Sequence, residues 1–88
     1  MQDVFKAIAD PTRREILLML AKEEKSVNSI AEHFNMSRPA VSKHIKILRE
    51  ANLLNMNADP IDARQRNCQI QLEALNDVTE YLDKVETF

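Results

Sequence analysis

The sequence predicts one mainly α-helical domain with a small β-hairpin, and three observations lead there. None of its 88 residues is glycine, against an average usage of roughly 7 %, so few turns can demand positive φ. Apolar residues recur at helical spacing over most of the chain. Near residue 68 the period changes to two, with Cys68, Ile70 and Leu72 alternating with Gln69 and Gln71 as in a half-buried strand.

The elements follow in order. Asp3 to Ala9 forms a short first helix with Phe5 and Ile8 on one side. Asp10-Pro11 starts the next, Asp10 as N-cap and Pro11 at the first helical position. That helix runs to about Lys22, with Arg13, Ile16, Leu17 and Leu20 at helical steps. Lys22 to Lys25 reads as a solvated loop, and Ser26 caps a third helix, Val27 to Phe34, with Ile30, Ala31 and Phe34 inward. Asn35-Met36-Ser37 is a tight turn, and Ser37 caps a helix from Arg38 to about Asn52. Pro39 is tolerated there because first-turn amides have no intrahelical partner. Leu54 and Met56 pair with the strand around Cys68, leaving Asn57 to Asn67 as the connection, with Pro60 in its loop. From Glu73 the helical period returns, and Leu75, Val78, Leu82 and Val85 recur at steps of three, four and three.

Length and composition bound the rest. A chain of this size, read as a single domain over 1–88, buries only roughly 60–65 % of its unfolded surface and is marginal alone. Cys68 has no partner for a disulfide, which leaves dimerisation as the usual stabiliser. The longest apolar run, Ile16 to Ala21, is six residues, far below the roughly 18 of a membrane helix, so no membrane insertion is expected. Met-Gln-Asp-Val-Phe at the start lacks the pattern of a secretory signal, and a lone cysteine suits a reducing interior. The expected compartment is the cytoplasm.

The net charge is −2, but it is unevenly spread. Residues 1–36 carry five basic and six acidic side chains, residues 37–66 six and three, and residues 67–88 one and five. The basic middle holds Arg38, Lys43, Lys46, Arg49, Arg64 and Arg66. Two helices joined by a short turn, the second capped by serine and followed by a hairpin, describe a winged helix-turn-helix. At about 100° per residue, Val41, His44, Ile45, Leu48 and Ala51 share one side of the second helix. Pro39, Ser42, Lys43 and Lys46 share the other, flanked by Arg38 and Arg49. One side suits a core. The other is short, polar and cationic, as approach to the major groove requires.

Ala9-Asp-Pro-Thr-Arg-Arg-Glu-Ile-Leu17 and Ser37-Arg-Pro-Ala-Val-Ser-Lys-His-Ile-Lys-Ile-Leu48 resemble the two signature stretches of ArsR-family transcription regulators. The likeness extends to the order of elements and to the Leu53-Leu54 approach to the wing. It implies a homodimer with paired terminal helices that represses an operator by occlusion and is released by a signal. It also implies roles on double-stranded DNA. Ser37 and Arg38 would meet phosphate, where orphan amides and the helix dipole also favour an anion. Pro39, Ala40, Ser42 and Lys43 would face base edges, and Lys46 the backbone. Arg64 and Arg66 would carry the phosphate or minor-groove contacts of a wing over about 55–70. Asp59 and Asp62 share that tip and oppose a phosphate, and the tip lacks the glycine frequent in the family.

Other residues take plainer readings. Arg13 and Arg14 make packing and salt-bridge contacts in the scaffold. His44, on the apolar side of its helix, is a satisfied, partly buried histidine. Cys68 is a small buried hydrophobe. Relatives that sense metals use cysteine pairs near the third helix, or His and carboxylate ligands on the last. Here Val27 to Phe34 has no cysteine and the last helix no histidine, and His33 with Glu32 lacks a third ligand. No metal and no cofactor are expected, and no effector is named by the residues.

Leu75, Val78, Tyr81, Leu82, Val85 and Phe88 form a stripe wider than one hairpin can cover. It is expected to pair with Val4, Phe5 and Ile8 of the first helix and with its twofold mate. A dimer would read an inverted repeat with half-sites about one turn of DNA apart. Two other classes compete. The acidic total and mixed-sign wing fit a winged-helix module that binds protein. An enzyme is not expected, because no carboxylate pair, nucleophile with base, or phosphate-cradling glycine loop can be assembled.

Overall fold

Short elements in this chain begin at side-chain caps. In the computed structural model, which describes residues 3–87, Asp3 opens α1 (Val4–Ile8) by accepting from Phe5 N at 2.8 Å. Asp10 opens α2 (Pro11–Lys22), its carboxylate taking the amides of Thr12 at 2.8 Å and Arg13 at 3.2 Å. Burial pushes that carboxyl up, but the two amides and the Arg13 charge outweigh it and hold it below the ordinary carboxylate range. Ser26 caps α3 (Val27–Phe34) and Ser37 caps α4 (Arg38–Glu50). A hairpin follows, β2 (Leu54–Ala58) and β3 (Arg66–Ile70), then a 3₁₀ turn at Glu73–Leu75 and α5 (Asn76–Thr87).

With no glycine available, asparagine takes the two left-handed positions among the described residues. Asn35 ends α3 at φ 52° and Asn52 follows α4 at φ 62°, the residue type that pays least for that conformation after glycine. This is why α4 stops at Glu50, slightly short of Asn52.

The sheet has one strand beyond the hairpin. Lys25–Ser26 forms β1 and pairs antiparallel with β3, Lys25 opposite Cys68 and Ser26 opposite Asn67, giving the order β1-β3-β2. The stretch expected as solvated loop thus ends in a strand, which ties the α3 cap to the wing. The hairpin runs in register from Leu54↔Ile70 to Ala58↔Arg66. Leu72 is not in it: β2 has no residue left to pair beyond Leu54, and Gln71 N donates instead to Leu53 O at 2.8 Å. Leu72 therefore leaves the sheet at the start of the 3₁₀ turn, 62 % exposed.

One core collects the apolar sides of α1 to α4 and the hairpin. Ile16, Ile30, Val41, Leu48, Leu53, Leu54 and Cys68 are sealed within it. Two arginines lock α1 down, which at five residues is too short to be stable alone. Arg13 donates from Nε to Ala7 O (2.7 Å) and from Nη2 to Lys6 O (3.0 Å), while Arg14 Nη1 donates to Ile8 O (2.8 Å). They satisfy carbonyls that a helix C-terminus leaves orphaned. Arg13 Nη1 also lies 3.3 Å from His44 Nδ1. Because guanidinium only donates, that ring nitrogen accepts, and half-buried His44 is satisfied within the scaffold.

α5 differs from every other long helix: none of its residues is buried. Tyr81, Leu82 and Val85 are 55, 51 and 53 % exposed. Tyr81 meets Phe5 edge to face, ring centroids 5.5 Å apart, and Leu75 and Val78 lean partly on the core. Val4 departs from its expected place on this surface. It is buried within its own chain beside Ala51 and Leu54, so it offers a partner almost nothing. Phe88, the expected end of the stripe, lies outside the described residues.

Candidate nucleic-acid interface

α4 owes its two faces to the spacing of its residues. Val41, Ile45 and Leu48 point into the core, and the residues on the opposite side of the helix must then point out. Ser42, Lys43 and Lys46 are exposed, as are Arg38 and Pro39 at the first turn. Ala40 is half-buried and offers less surface than its neighbours. Ser37 spends its hydroxyl on the cap, Oγ accepting from Ala40 N at 3.3 Å. Its side chain organises the helix end, and the residue stays exposed beside the Arg38 amide; Pro39 carries no N–H and that of Ala40 is held by the cap. Lys46 Nζ lies 3.9 Å from Glu50 Oε1 one turn on, a solvated pair whose net worth is small.

The structure brings part of the expected set together and adds to it. Ser42 and Lys46 line a shallow cavity of about 200 Å³ with Val27, Ile45, Arg49 and Met56, where α4 meets the start of α3 and β2. Arg49 Nη1 reaches to 3.9 Å from Met56 Sδ, so this guanidinium is laid across the gap between the helix and the wing. Helical spacing placed Arg49 on a flank; its tie to Met56 could not be read because those residues meet only through the fold.

Arg64 and Arg66 sit apart from that group, on the hairpin. Arg66 is exposed and pairs with Ala58 in the ladder. Arg64 is 92 % exposed, with Nε 3.3 Å from Asp62 Oδ1. The two tip aspartates do different things. Asp62 partners Arg64. Asp59 faces its own loop: Oδ1 accepts from the amides of Ile61 (2.8 Å) and Asp62 (2.9 Å), and Oδ2 from Asn67 Nδ2 (3.0 Å). The Asp62 amide, the Asn67 side chain and the Ile61 amide together hold the Asp59 carboxyl below its ordinary range. Asp59 is thus the keystone of the hairpin turn, which shape a sequence count of charges does not reveal.

Among the described residues no group of three or more His, Cys, Asp or Glu side chains is placed to hold a metal ion. Exposed His33 Nε2 lies 4.0 Å from Glu15 Oε1 and stacks edge-on against Phe34. Cys68 is sealed, and burial, with a smaller push from the Glu24 charge, raises its thiol to about 11. No helix among the described residues is long and apolar enough to cross a membrane.

Known proteins are similar to this chain. Residues 10–56 match the family model described as bacterial regulatory protein, arsR family. The transcriptional repressor SdpR of Bacillus subtilis is 49 % identical over 55 residues, covering 62 % of this chain and 61 % of SdpR. The HTH-type transcriptional regulator KmtR of Mycobacterium tuberculosis is 42 % identical over 65 % of this chain and 44 % of its own length. The chain therefore spans less than two thirds of these curated relatives. A crystallised ArsR-family transcriptional regulator superposes with TM-score 0.83 at 31 % identity, over 94 % of this chain and 88 % of that one. With the family match covering more than half of its residues, and the winged helix-turn-helix continuing through the remainder, the chain belongs to the arsR family of bacterial regulatory proteins.

Proposed function

We propose that the protein is a sequence-specific, DNA-binding transcription regulator of the cytoplasm, a homodimeric repressor acting on an inverted-repeat operator. α4 enters the major groove, and the wing lies on the backbone or minor groove. One observation carries this reading: Ser42, Lys43 and Lys46 face outward from a helix whose opposite side is sealed in the core. That is a rigid helix with short polar and cationic side chains facing out, the form in which base edges and phosphates are reached. Two supports are independent of it. The relatives named above are a repressor and a transcriptional regulator, and the bare apolar side of α5 with Phe5 offers a surface for a twofold mate.

In this arrangement Ser37 and Arg38, with the Arg38 amide and the positive end of the α4 dipole, take a phosphate. Pro39, Ser42 and Lys43 meet base edges, with Ala40 close behind, and Lys46 and Arg49 hold the backbone on the wing side. Phe5, Ile8, Leu75, Val78, Tyr81, Leu82 and Val85 form the dimer surface.

The test is Lys43→Glu, assayed on duplexes that the wild-type protein selects from a random-sequence pool. The variant is expected to lose detectable binding while its dimer and melting temperature stay near wild type, because Lys43 is an exposed residue of the outer face of α4. A variant that unfolds would make Lys43 structural and the face assignment wrong. Wild-type protein that selects no duplex even at low salt, where phosphate contacts are strongest, would favour a module that docks protein.

A further inference from the structure

Ile61 has no partner in the fold. It is 98 % exposed, the barest of the large hydrophobic side chains among the described residues, and it stands at the end of the wing after Pro60. The loop that carries it is firmly built. The Asp59 carboxylate clamps the Ile61 and Asp62 amides from one side and Asn67 from the other. Asp59 N donates to Gln65 O at 3.1 Å and Gln65 N to Asp62 O at 3.0 Å, closing the turn beneath. Both tip carboxylates are occupied, Asp59 by its own loop and Asp62 by Arg64. What projects is a branched aliphatic side chain, with the exposed Arg64 and Arg66 following it in the chain.

We infer that Ile61 is an apolar wedge that enters the DNA minor groove next to the major groove taken by α4. The inference rests on the DNA-binding reading and names how the wing engages. Strands of five residues span about 17 Å, roughly half of the ~34 Å turn of the duplex. That is the offset between neighbouring major and minor grooves on one side of DNA. The minor groove, about 6 Å wide, admits a lone aliphatic tip, and its phosphate walls suit the arginines that follow that tip. An inserted aliphatic side chain partly unstacks a base step, which costs least at a pyrimidine–purine step. The wing side of each half-site therefore carries a TA or CA step, chosen for its deformability and not by hydrogen bonds to bases.

Ile61→Ser tests this on the duplexes selected by the wild-type protein. Affinity is expected to fall about tenfold, because burying an isoleucine side chain is worth more than that and unstacking returns part of it. The salt dependence should keep its slope, since an apolar contact releases no counterion, whereas Arg64→Ala should lower the slope by about one. A 2-aminopurine at the step under the wing should brighten when wild-type protein binds and stay dark with Ile61→Ser. Ile61 touches no core residue, so the melting temperature should not move. Binding within twofold of wild type, a slope that drops with Ile61→Ser, or no 2-aminopurine response to wild-type protein would each overturn the wedge while leaving DNA binding intact. Wild-type protein that selects no duplex would instead sink the DNA reading itself, and the wedge with it.

Discussion

α4 and α5 are amphipathic helices of 13 and 12 residues with opposite outcomes. α4 seals Val41, Ile45 and Leu48 against elements from both sides of it in sequence and leaves no large apolar side chain fully exposed. α5 has no buried residue; its Tyr81, Leu82 and Val85 stay half bare, with Phe5 edge to face against Tyr81. The difference shows that an amphipathic stripe records a need for cover without saying where the cover comes from. α4 finds it within the chain. α5 comes last, after the core has been closed by α2, α3, α4 and the hairpin, and a second chain is the cover we propose for it. At about 25 cal/mol per Å² of apolar surface, leaving three large side chains half exposed forgoes a few kcal/mol per chain, a sizeable share of a small domain's stability.

Substitution on the two stripes should break along the same line. The largest effect belongs to Leu48→Ala, which removes a fully buried side chain and should cost about 2–5 kcal/mol. For a domain of this size that is a fall of about 10 °C or more in melting temperature, measured by circular dichroism. Leu82→Asp should act otherwise. A carboxylate placed twice in a twofold interface should give monomers in sedimentation with helix content retained, and affinity for selected duplexes lowered by about a hundredfold or more as bivalent binding is lost. A folded dimer surviving that change would remove α5 from the interface. An unfolded chain would mean that α5 serves the core as α4 does.

The legible parts of the molecule were those written locally. Asp10-Pro11, Ser26 and Ser37 announce helix starts through chemistry contained within three or four residues, and each start lies where those residues place it. The two faces of α4 follow from its spacing. β1 was not legible because two residues carry no period, and its partner lies more than forty positions away. Leu72 misled because its alternation continues past the point where β2 runs out of residues to pair with it. The inward turn of Val4 is not legible because five residues carry too little helical spacing to fix which side of α1 meets the core. The cationic face could be read; the tie from Arg49 to Met56 and the inward turn of Asp59 could not, since both depend on how the hairpin folds back.

Cys68 supplies the finest test of the contrast, because it lies in the core and reports on it chemically. Burial, with the Glu24 charge adding to it, raises its thiol from 9.0 to about 11, and the thiolate is the reactive form. Labelling by a disulfide reagent at pH 8 should therefore be slow and should follow opening of the core. A folded state that keeps its proton to higher pH than the unfolded chain has that contribution in full below pH 9, and loses it as pH climbs through about 11. The melting temperature should accordingly sag over that window in the wild type and not in Cys68→Ala. Leu48→Ala should label about 30-fold faster for each 2 kcal/mol it loses, whereas Leu82→Asp should label no faster than wild-type protein diluted until its dimer dissociates, since its own core is unaltered. Equal rates in the two variants would mean that α5 holds the core closed, and that its exposed stripe is the outer side of a structural helix with no mate to wait for.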